Sequence, residues 1–478
     1  MSAILLLVLS ATVTQGLFGL NVRLDHEDDP HRGCGYPVIT LGPGKGSNQT
    51  VYVAFEDDSL HLISDLMFQK STNAGRTWMP ADVLIRRGCP GVWDADIATD
   101  SDGNIFVVFC EYDRDSVWGH YDCCVKSTDG GATWSSPARV NDSICDGIGW
   151  ARIAADSAGN LFCAWNDWRT GYGRIWSSVS TDRGTTWSQN VRVDDVADSV
   201  WNDCAQADVF VQPGTNQYLV AAEAPCPDGH LGCYLYRSTD RGQTFQPGVR
   251  LDTFGGYAGE PHVVADAQHI VCDYVDGWAE ARVLYTQPDT WGIPRFVGYS
   301  YRGPTLAMSA DGCVHAAMTC HKDDGPWHVY YATAAVPGDT WSTPELVSID
   351  TTHELDVPDI RADSAGHAYV TWMTTSTQNS EIWFATNNPA AIAEQPVQQL
   401  VDVQPSATIV RRVLFLAERP SSSPSASYLL DISGRQVVAL KPGANDVSRL
   451  SPGVYFIREG LGIRGEGPGK TRKIVVTR

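Results

Sequence analysis

Ser127-Thr128-Asp129-Gly130-Gly131-Ala132-Thr133-Trp134 is the stretch that decides the fold, because the chain repeats it. It stands earlier as Ser71-Thr72-Asn73-Ala74-Gly75-Arg76-Thr77-Trp78. It returns as Ser180-Thr181-Asp182-Arg183-Gly184-Thr185-Thr186-Trp187 and Ser238-Thr239-Asp240-Arg241-Gly242-Gln243-Thr244-Phe245. Eroded copies end at Trp291 and Trp341, and a fragment remains at Ala385-Thr386-Asn387, so the unit recurs every 45 to 58 residues. Self-similarity at such a period marks a repeat architecture. Each octet has the chemistry of a hairpin turn. An Asp or Asn side chain bonds to backbone amides two residues on, a glycine in fifth place permits a positive φ, and the closing Trp or Phe buries ~150–250 Å².

A second pattern precedes each octet: an alternating strand, an Asp/Gly/Asn turn, then another strand. It is clearest from Ile97, Ile153 and Ile360, with weaker forms from Val38, Val209, Val263 and Leu306. Period-two alternation about such turns predicts hairpins, seven in all. The strand after an octet is also recognisable, as Asn190-Val-Arg-Val-Asp194 and Gly248-Val-Arg-Leu-Asp252. The same string opens the chain as Asn21-Val-Arg-Leu-Asp25, with no octet before it. The last repeat ends near Ile382-Trp383-Phe384-Ala385-Thr386, with no such strand after it. The N-terminal strand is therefore expected to complete the last sheet and close a ring, which removes exposed sheet edges.

These octets resemble the Asp boxes, or BNR repeats, of sialidase-like β-propellers, with Asn73, Asp129, Asp182 and Asp240 in the box position. The resemblance implies an all-β propeller in which the box is a structural turn outside the active site. The hairpin count gives a seven-bladed β-propeller over residues 17–388, or six blades if the weak fifth repeat is none. Residues 389–406, rich in Pro, Ala and Gln, read as a linker. Residues 407–478 read as a small C-terminal β-sandwich. Its strings Tyr428–Arg435, Leu450–Arg458 and Thr471–Arg478 resemble the sorting domain of the type IX secretion pathway, which implies that machinery as a partner and export across an outer membrane. Residues 1–16 read as a signal peptide, with an apolar run from Ile4 to Leu9 and small residues around Ala11–Gly16.

The net charge of −21 excludes nucleic acid and anionic membrane surfaces as natural partners. The tail 400–478 carries +6, leaving −27 for the rest. No stretch is long and apolar enough for a transmembrane span. Thirteen cysteines in an exported chain predict disulfides. Cys34–Cys89, Cys226–Cys233 and Cys110 with Cys123 or Cys124 are the pairs suggested by position.

Strand parity puts the octets on one face of the wheel and the longer, more varied loops on the other, where binding residues concentrate. Those loops carry Trp93, Trp118, Trp150, Trp168, Trp201, Trp278 and Trp327, suited to stacking on sugars or to capping blades. Asp96, Arg152, Asp208, His262 and Asp359 begin inner strands, Glu260 and Arg302 sit just ahead of theirs, and Glu111 ends a second strand. An acidic mouth of this kind suits two-carboxylate glycosidic chemistry, a structural Ca²⁺, or nothing beyond a solvated entrance. Asp96, Asp208, Asp359, Glu111 and Arg152 are the catalytic candidates; Arg152, His262 and Arg302 join the tryptophans as ligand-binding candidates. Sialidases grip their acidic sugar with three arginines, the first in an Arg-Ile-Pro string. This chain has Gly35-Tyr36-Pro37-Val38 there, and its nearest look-alike is Ala151-Arg152-Ile153-Ala154, with Arg302 and Arg169 or Arg174 as distant substitutes. The expectation is a monomer, without cofactor, binding a carbohydrate or protein ligand. A glycoside hydrolase and a structural envelope module are the alternatives.

Overall fold

The structure of the chain is a computed structural model. It describes residues 17–392, except 20, 27–32, 59–63, 89–90, 113–118, 144–147, 216, 228, 253–255, 278–279, 288–289, 292–294, 300–303, 321–326, 337–339, 350–353 and 376–379. Beyond them it describes 408–410, 413–416, 427–431, 435–441, 443–447, 449–459 and 471–476. The chain divides into two compact units, Met1–Ala393 and Glu394–Arg478.

Among its described residues the first unit is all-β apart from a short 3₁₀ turn and the four-residue helix Pro389–Ile392. Alternating apolar residues build antiparallel meanders. Among the described residues there are seven such sheets, beginning with Gly33–Leu41, Val92–Thr99, Ile148–Ala155, Ala205–Val211, Ala258–Ala265, Thr305–Met308 and Glu354–Ala362. Each has four strands except the fifth, where Arg295–Tyr299 also pairs with Glu280–Gln287. The first strand of each sheet contacts the first strand of the next, and the seventh contacts the first.

The octets turn as their letters predict. Ser127 Oγ donates to Asp129 Oδ1 at 2.8 Å and accepts from the amide of Gly131 at 2.8 Å, while Asp129 receives the Thr133 amide at 2.9 Å and hydroxyl at 2.6 Å. Asp182 with Thr186 and Asp240 with Thr244 repeat this bonding, and Asn73 with Thr77 does so through its amide. The closing aromatics insert against the preceding sheet. Trp134 meets Phe68 edge-on at 5.3 Å, Phe245 stacks on Phe162 at 6.2 Å, and Trp78 meets Phe384 of the seventh sheet at 4.9 Å.

This bonding has a pH signature. The Thr133 hydroxyl and amide hold the Asp129 carboxyl down at about 2. For Asp182, burial pushes the other way and the bonds from Thr186 outweigh it, again giving about 2. A carboxyl depressed below its unfolded value of ~3.9 stabilises the fold above that pH, and loses the contribution as pH falls toward 2. Asn73 does the same work without titrating. Replacing Asp129, Asp182 and Asp240 with Asn is therefore expected to flatten the fall of Tm between about pH 4 and pH 2. Melting curves with the wild-type acid slope would refute this.

Val22–Arg23 pairs antiparallel with Ile382–Thr386, Val22 opposite Phe384 and Arg23 opposite Trp383. Its continuation behaves as the strands after the octets do. Asp194 accepts the amide of Ile175, Asp252 that of Cys233, and Asp25 that of Ile382, all at 2.7–2.8 Å. Each Asp is gripped by the arginine two residues before it.

The proposed bridges at Cys34, Cys123, Cys124 and Cys233 are absent, since these four are thiols. Cys123 faces the core between the first and second sheets, whereas Cys110 and Cys124 share the core between the second and third, so alternation separates Cys110 from Cys123 alone. Burial pushes the Cys124 thiol up to about 12. Cys89 and Cys145 lie outside the described residues.

The second unit holds a five-stranded sheet, ordered Thr408–Val410, Thr471–Val476, Gly453–Glu459, Ser427–Leu430 and Gln436–Leu440. A strand pair, Val413–Leu416 with Gly443–Asp446, accompanies it. Leu414, Leu429, Leu440, Val447, Tyr455 and Ile457 form its core.

Candidate functional site

Among the described residues, six inner strands carry a β-bulge at one place. Register slips between Gly35 and Val38, Trp93 and Asp96, Gly149 and Arg152, Ala205 and Asp208, Gly259 and His262, and Asp356 and Asp359. In each bulge one non-glycine residue is left-handed: Tyr36, Asp94, Trp150, Gln206, Glu260 and Val357, with φ between 45° and 51° at Gln206, Tyr36, Val357 and Glu260, and 53° and 55° at Trp150 and Asp94. Such backbone costs about 1–3 kcal/mol per residue and persists where the surroundings enforce it, commonly at functional sites. Bulges also re-aim side chains. Here all six of these residues line one cavity of about 230 Å³, together with Asp96, Arg152, Asp208, His262, Asp359 and Arg361.

The surroundings that hold the bulges are carboxylates of neighbouring sheets. An amide turned out of a ladder must find another acceptor. Glu56 takes the amide of Asp94 at 2.9 Å, Asp94 that of Trp150 at 3.3 Å, and Glu223 that of Glu260 at 2.8 Å. Deeper in, Asp96 takes the amide of Ile153, Asp208 that of Val263, and Asp359 that of Ile39, each at 2.8 Å. The acidic ring thus stitches successive inner strands together, the seventh to the first included.

Charge in the cavity is mixed but acidic. Burial raises the carboxyls of Asp94 and Asp96, and Arg152 acts against it on both. The Arg361 guanidinium sits among Asp359, Asp96 and Asp208, whose charges outweigh its burial and hold it protonated. His262 donates its amide to Asp273 at 2.7 Å, and its Nδ1 lies 3.2 Å from the same oxygen. Burial opposes a charge on that ring, yet Asp273 outweighs it and lifts the imidazole to about 9.

The residues anticipated from sequence are thereby sorted. Asp96, Arg152, Asp208, His262, Asp359 and Trp150 line the cavity, but Asp96, Asp208 and Asp359 each commit an oxygen to a neighbouring strand. Glu111 does not line it; its carboxylate is held by Arg86 at 2.9 and 3.2 Å. Trp93 packs edge-on against Tyr112 and His120. Trp168 and Trp327 are half-buried and outside the lining. Arg169 is spent on Asp167 and Asp142, and Arg174 on backbone carbonyls. Trp118, Trp278 and Arg302 lie outside the described residues. Tyr36, Asp94, Gln206, Val357 and Arg361 were not anticipated. Their signal was present: Tyr-Pro-Val-Ile, Asp-Ala-Asp-Ile, Trp-Ala-Arg-Ile, Gln-Ala-Asp-Val, Glu-Pro-His-Val and Val-Pro-Asp-Ile all place Pro or Ala after the bulge residue and Val or Ile three after it. Among the described residues no group of three or more His, Cys, Asp or Glu side chains is arranged to hold a metal ion. No described helix is long and apolar enough to cross a membrane.

Four-stranded sheets whose inner strands share one channel, pinned by recurring Asp-box turns, define a sialidase-like propeller. The chain belongs to the BNR repeat-like domain family, which matches residues 64–316. Among solved structures it is similar to a protein of unknown function from Dyadobacter fermentans, at 15% identity and a TM-score of 0.50, over 78% of this chain and 98% of that one. It also resembles a Hadza microbial sialidase (14% identity, TM-score 0.46, 78% and 93% covered). A Penicillium chrysogenum α-L-arabinanase complexed with arabinobiose is similar at 16% identity and a TM-score of 0.44, with 78% and 98% covered. No curated protein matches the chain.

Proposed function

We propose that the seven sheets are the blades of a closed seven-bladed propeller whose channel mouth binds a carbohydrate. The observation that carries this is the bulge ring. It sets two exposed aromatic rings, Tyr36 at 50% and Trp150 at 37% exposure, beside Gln206, Glu260 and Arg152 around one cavity. Aromatic faces with a few fixed polar groups are how small-molecule sites gain affinity and orientation. At about 230 Å³ the cavity is below the ~300–1,000 Å³ of drug-sized sites, which suits a single sugar ring. The acidic lining disfavours an anionic sugar such as sialic acid.

Calorimetry against neutral mono- and oligosaccharides tests the reading. Trp150→Ala is expected to weaken binding about tenfold, the effect of ~1.4 kcal/mol from one buried aromatic contact. Binding insensitive to both Trp150→Ala and Tyr36→Ala would refute it. Turnover of any glycan that Asp94→Asn abolishes would convert the protein into a glycoside hydrolase, with the raised Asp94 carboxyl as its acid.

The proposed site of action is the cell surface or beyond, with residues 1–16 as signal and the C-terminal unit as a type IX sorting β-sandwich. The alternation of its strands and the strings at Tyr428, Leu450 and Thr471 support this. Retention of the chain in the cytoplasm of a type IX host would refute it.

A further inference from the structure

Resting on the carbohydrate reading above, we infer that the ligand is an oligosaccharide whose second contact is Trp201, held at the rim beside the mouth. Trp201 is 74% exposed, the highest value among the exposed large apolar side chains described. The loop presenting it is not loose. Arg174 is fully buried, and its guanidinium donates to the carbonyls of Gly173 at 2.7 Å, Ala197 at 3.1 Å, Val200 at 2.7 Å and Asn202 at 3.0 Å. Asp203 accepts the amide of Gly173 at 2.6 Å, and Cys204 returns its own amide to the Gly173 carbonyl at 2.9 Å. Arg192 grips the other flank through Asp194, Asp198 and the Val196 carbonyl.

Burying a guanidinium is costly, and with Arg174 Nε unpartnered among the described residues the compensation comes from its two terminal nitrogens. Here the bonds go to the backbone on both sides of Trp201, so the cation's role is to fix that loop. The same guanidinium lies 5.6 Å from the ring of Tyr172, itself 36% exposed, which ties a second aromatic to the same support. A ring already held in place loses little freedom on binding, and rigid aromatics are therefore efficient contacts.

Two observations choose the occupant. Trp201 is five residues before the cavity-lining Gln206, so at ~3.3–3.6 Å per residue the two Cα atoms lie within roughly 18 Å. That is a spacing a short glycan spans from a unit in the mouth. In the loop Asp194, Asp195, Asp198 and Asp203 outnumber Arg192 and the buried Arg174, an acidic balance that disfavours anionic partners. The ligand class is thus a neutral glycan of several units.

The test compares one-unit and four-unit xylo-, arabino-, manno- and cello-saccharides by calorimetry on the full chain. For the class that binds, the four-unit ligand is expected to bind at least tenfold tighter. Trp201→Ala should erase that gain while leaving one-unit affinity unchanged, and Trp201→Phe should keep most of it. Equal affinity for both lengths, or a gain that survives Trp201→Ala, overturns this inference and leaves the carbohydrate reading standing. No binding by any member overturns the carbohydrate reading and this inference with it.

Discussion

A chain lacking residues 17–25 is expected to lose most of its stability and to aggregate, although none of the described residues among them lines the cavity. Phe18 and Leu24 are 5% and 1% exposed; Phe18 packs edge-on against Tyr331 at 5.0 Å, and Leu24 joins the core of Phe55, Ile382 and Phe384. Uncovering two such side chains costs about 1.5–3 kcal/mol each. Removing Asp25 leaves the buried amide of Ile382 without its acceptor, a further ~1–3 kcal/mol. A loss of roughly 4–9 kcal/mol is comparable with the ~5–15 kcal/mol total of a folded domain. It also bares the edge of Ile382–Thr386, where other chains can pair. Thermal melts with light scattering read both effects. Asp25→Ala alone should show the smaller, non-aggregating part, because Val22 and Leu24 still cover the sheet. Deletion with an unchanged Tm would mean that the ring does not need its clasp.

The clasp was legible because Asn21–Asp25 repeats a string whose other copies follow octets; its Arg-x-Asp letters encode the grip of Arg23 on Asp25 and the bond to Ile382. The octets were legible for the same reason, since local side-chain-to-backbone bonds need only neighbours in sequence. The site was less so. Asp96, Asp208 and Asp359 were rightly placed at the channel, but their partners, the amides of Ile153, Val263 and Ile39, lie 57, 55 and 320 residues away. Nothing local distinguishes a carboxylate that will receive a neighbour's amide from one open to a ligand. Four of the six bulge residues, Tyr36, Asp94, Gln206 and Val357, escape alternation that runs from Asp96 or His262 onward, because a bulge is a break in alternation. Glu111 misled for the opposite reason. Its parity matched the other second-strand carboxylates, and only the fold brings Arg86 onto it.

Within the octet, two adjacent glycines should respond unequally to one methyl group. Gly130 and Gly131 both have positive φ, 71° and 90°. At the fourth place the other copies carry Ala74, Arg183 and Arg241, left-handed at 60°, 59° and 59° without glycine. A Cβ on Gly130 would meet only the end of the Lys70 side chain, at 3.2 Å. At the fifth place all four full octets have glycine, and a Cβ on Gly131 would lie 2.1 Å from the Phe68 ring. Phe68 is fully buried and already wedged against Trp134, so it has nowhere to retreat. Gly131→Ala therefore combines backbone strain with overpacking, each ~1–3 kcal/mol, for a loss of roughly 2–6 kcal/mol. Gly130→Ala should cost the backbone term alone, ~1–2 kcal/mol, for a conformation that three sister turns tolerate without glycine. Denaturant unfolding of the two variants measures the difference directly. Equal losses would show that φ alone reserves the fifth place for glycine; the expected gap shows that contact with the preceding sheet does. That contact is the means by which each turn locks one sheet to the next, as Gly75 against Phe384, 2.2 Å from its own would-be Cβ, locks the first sheet to the last.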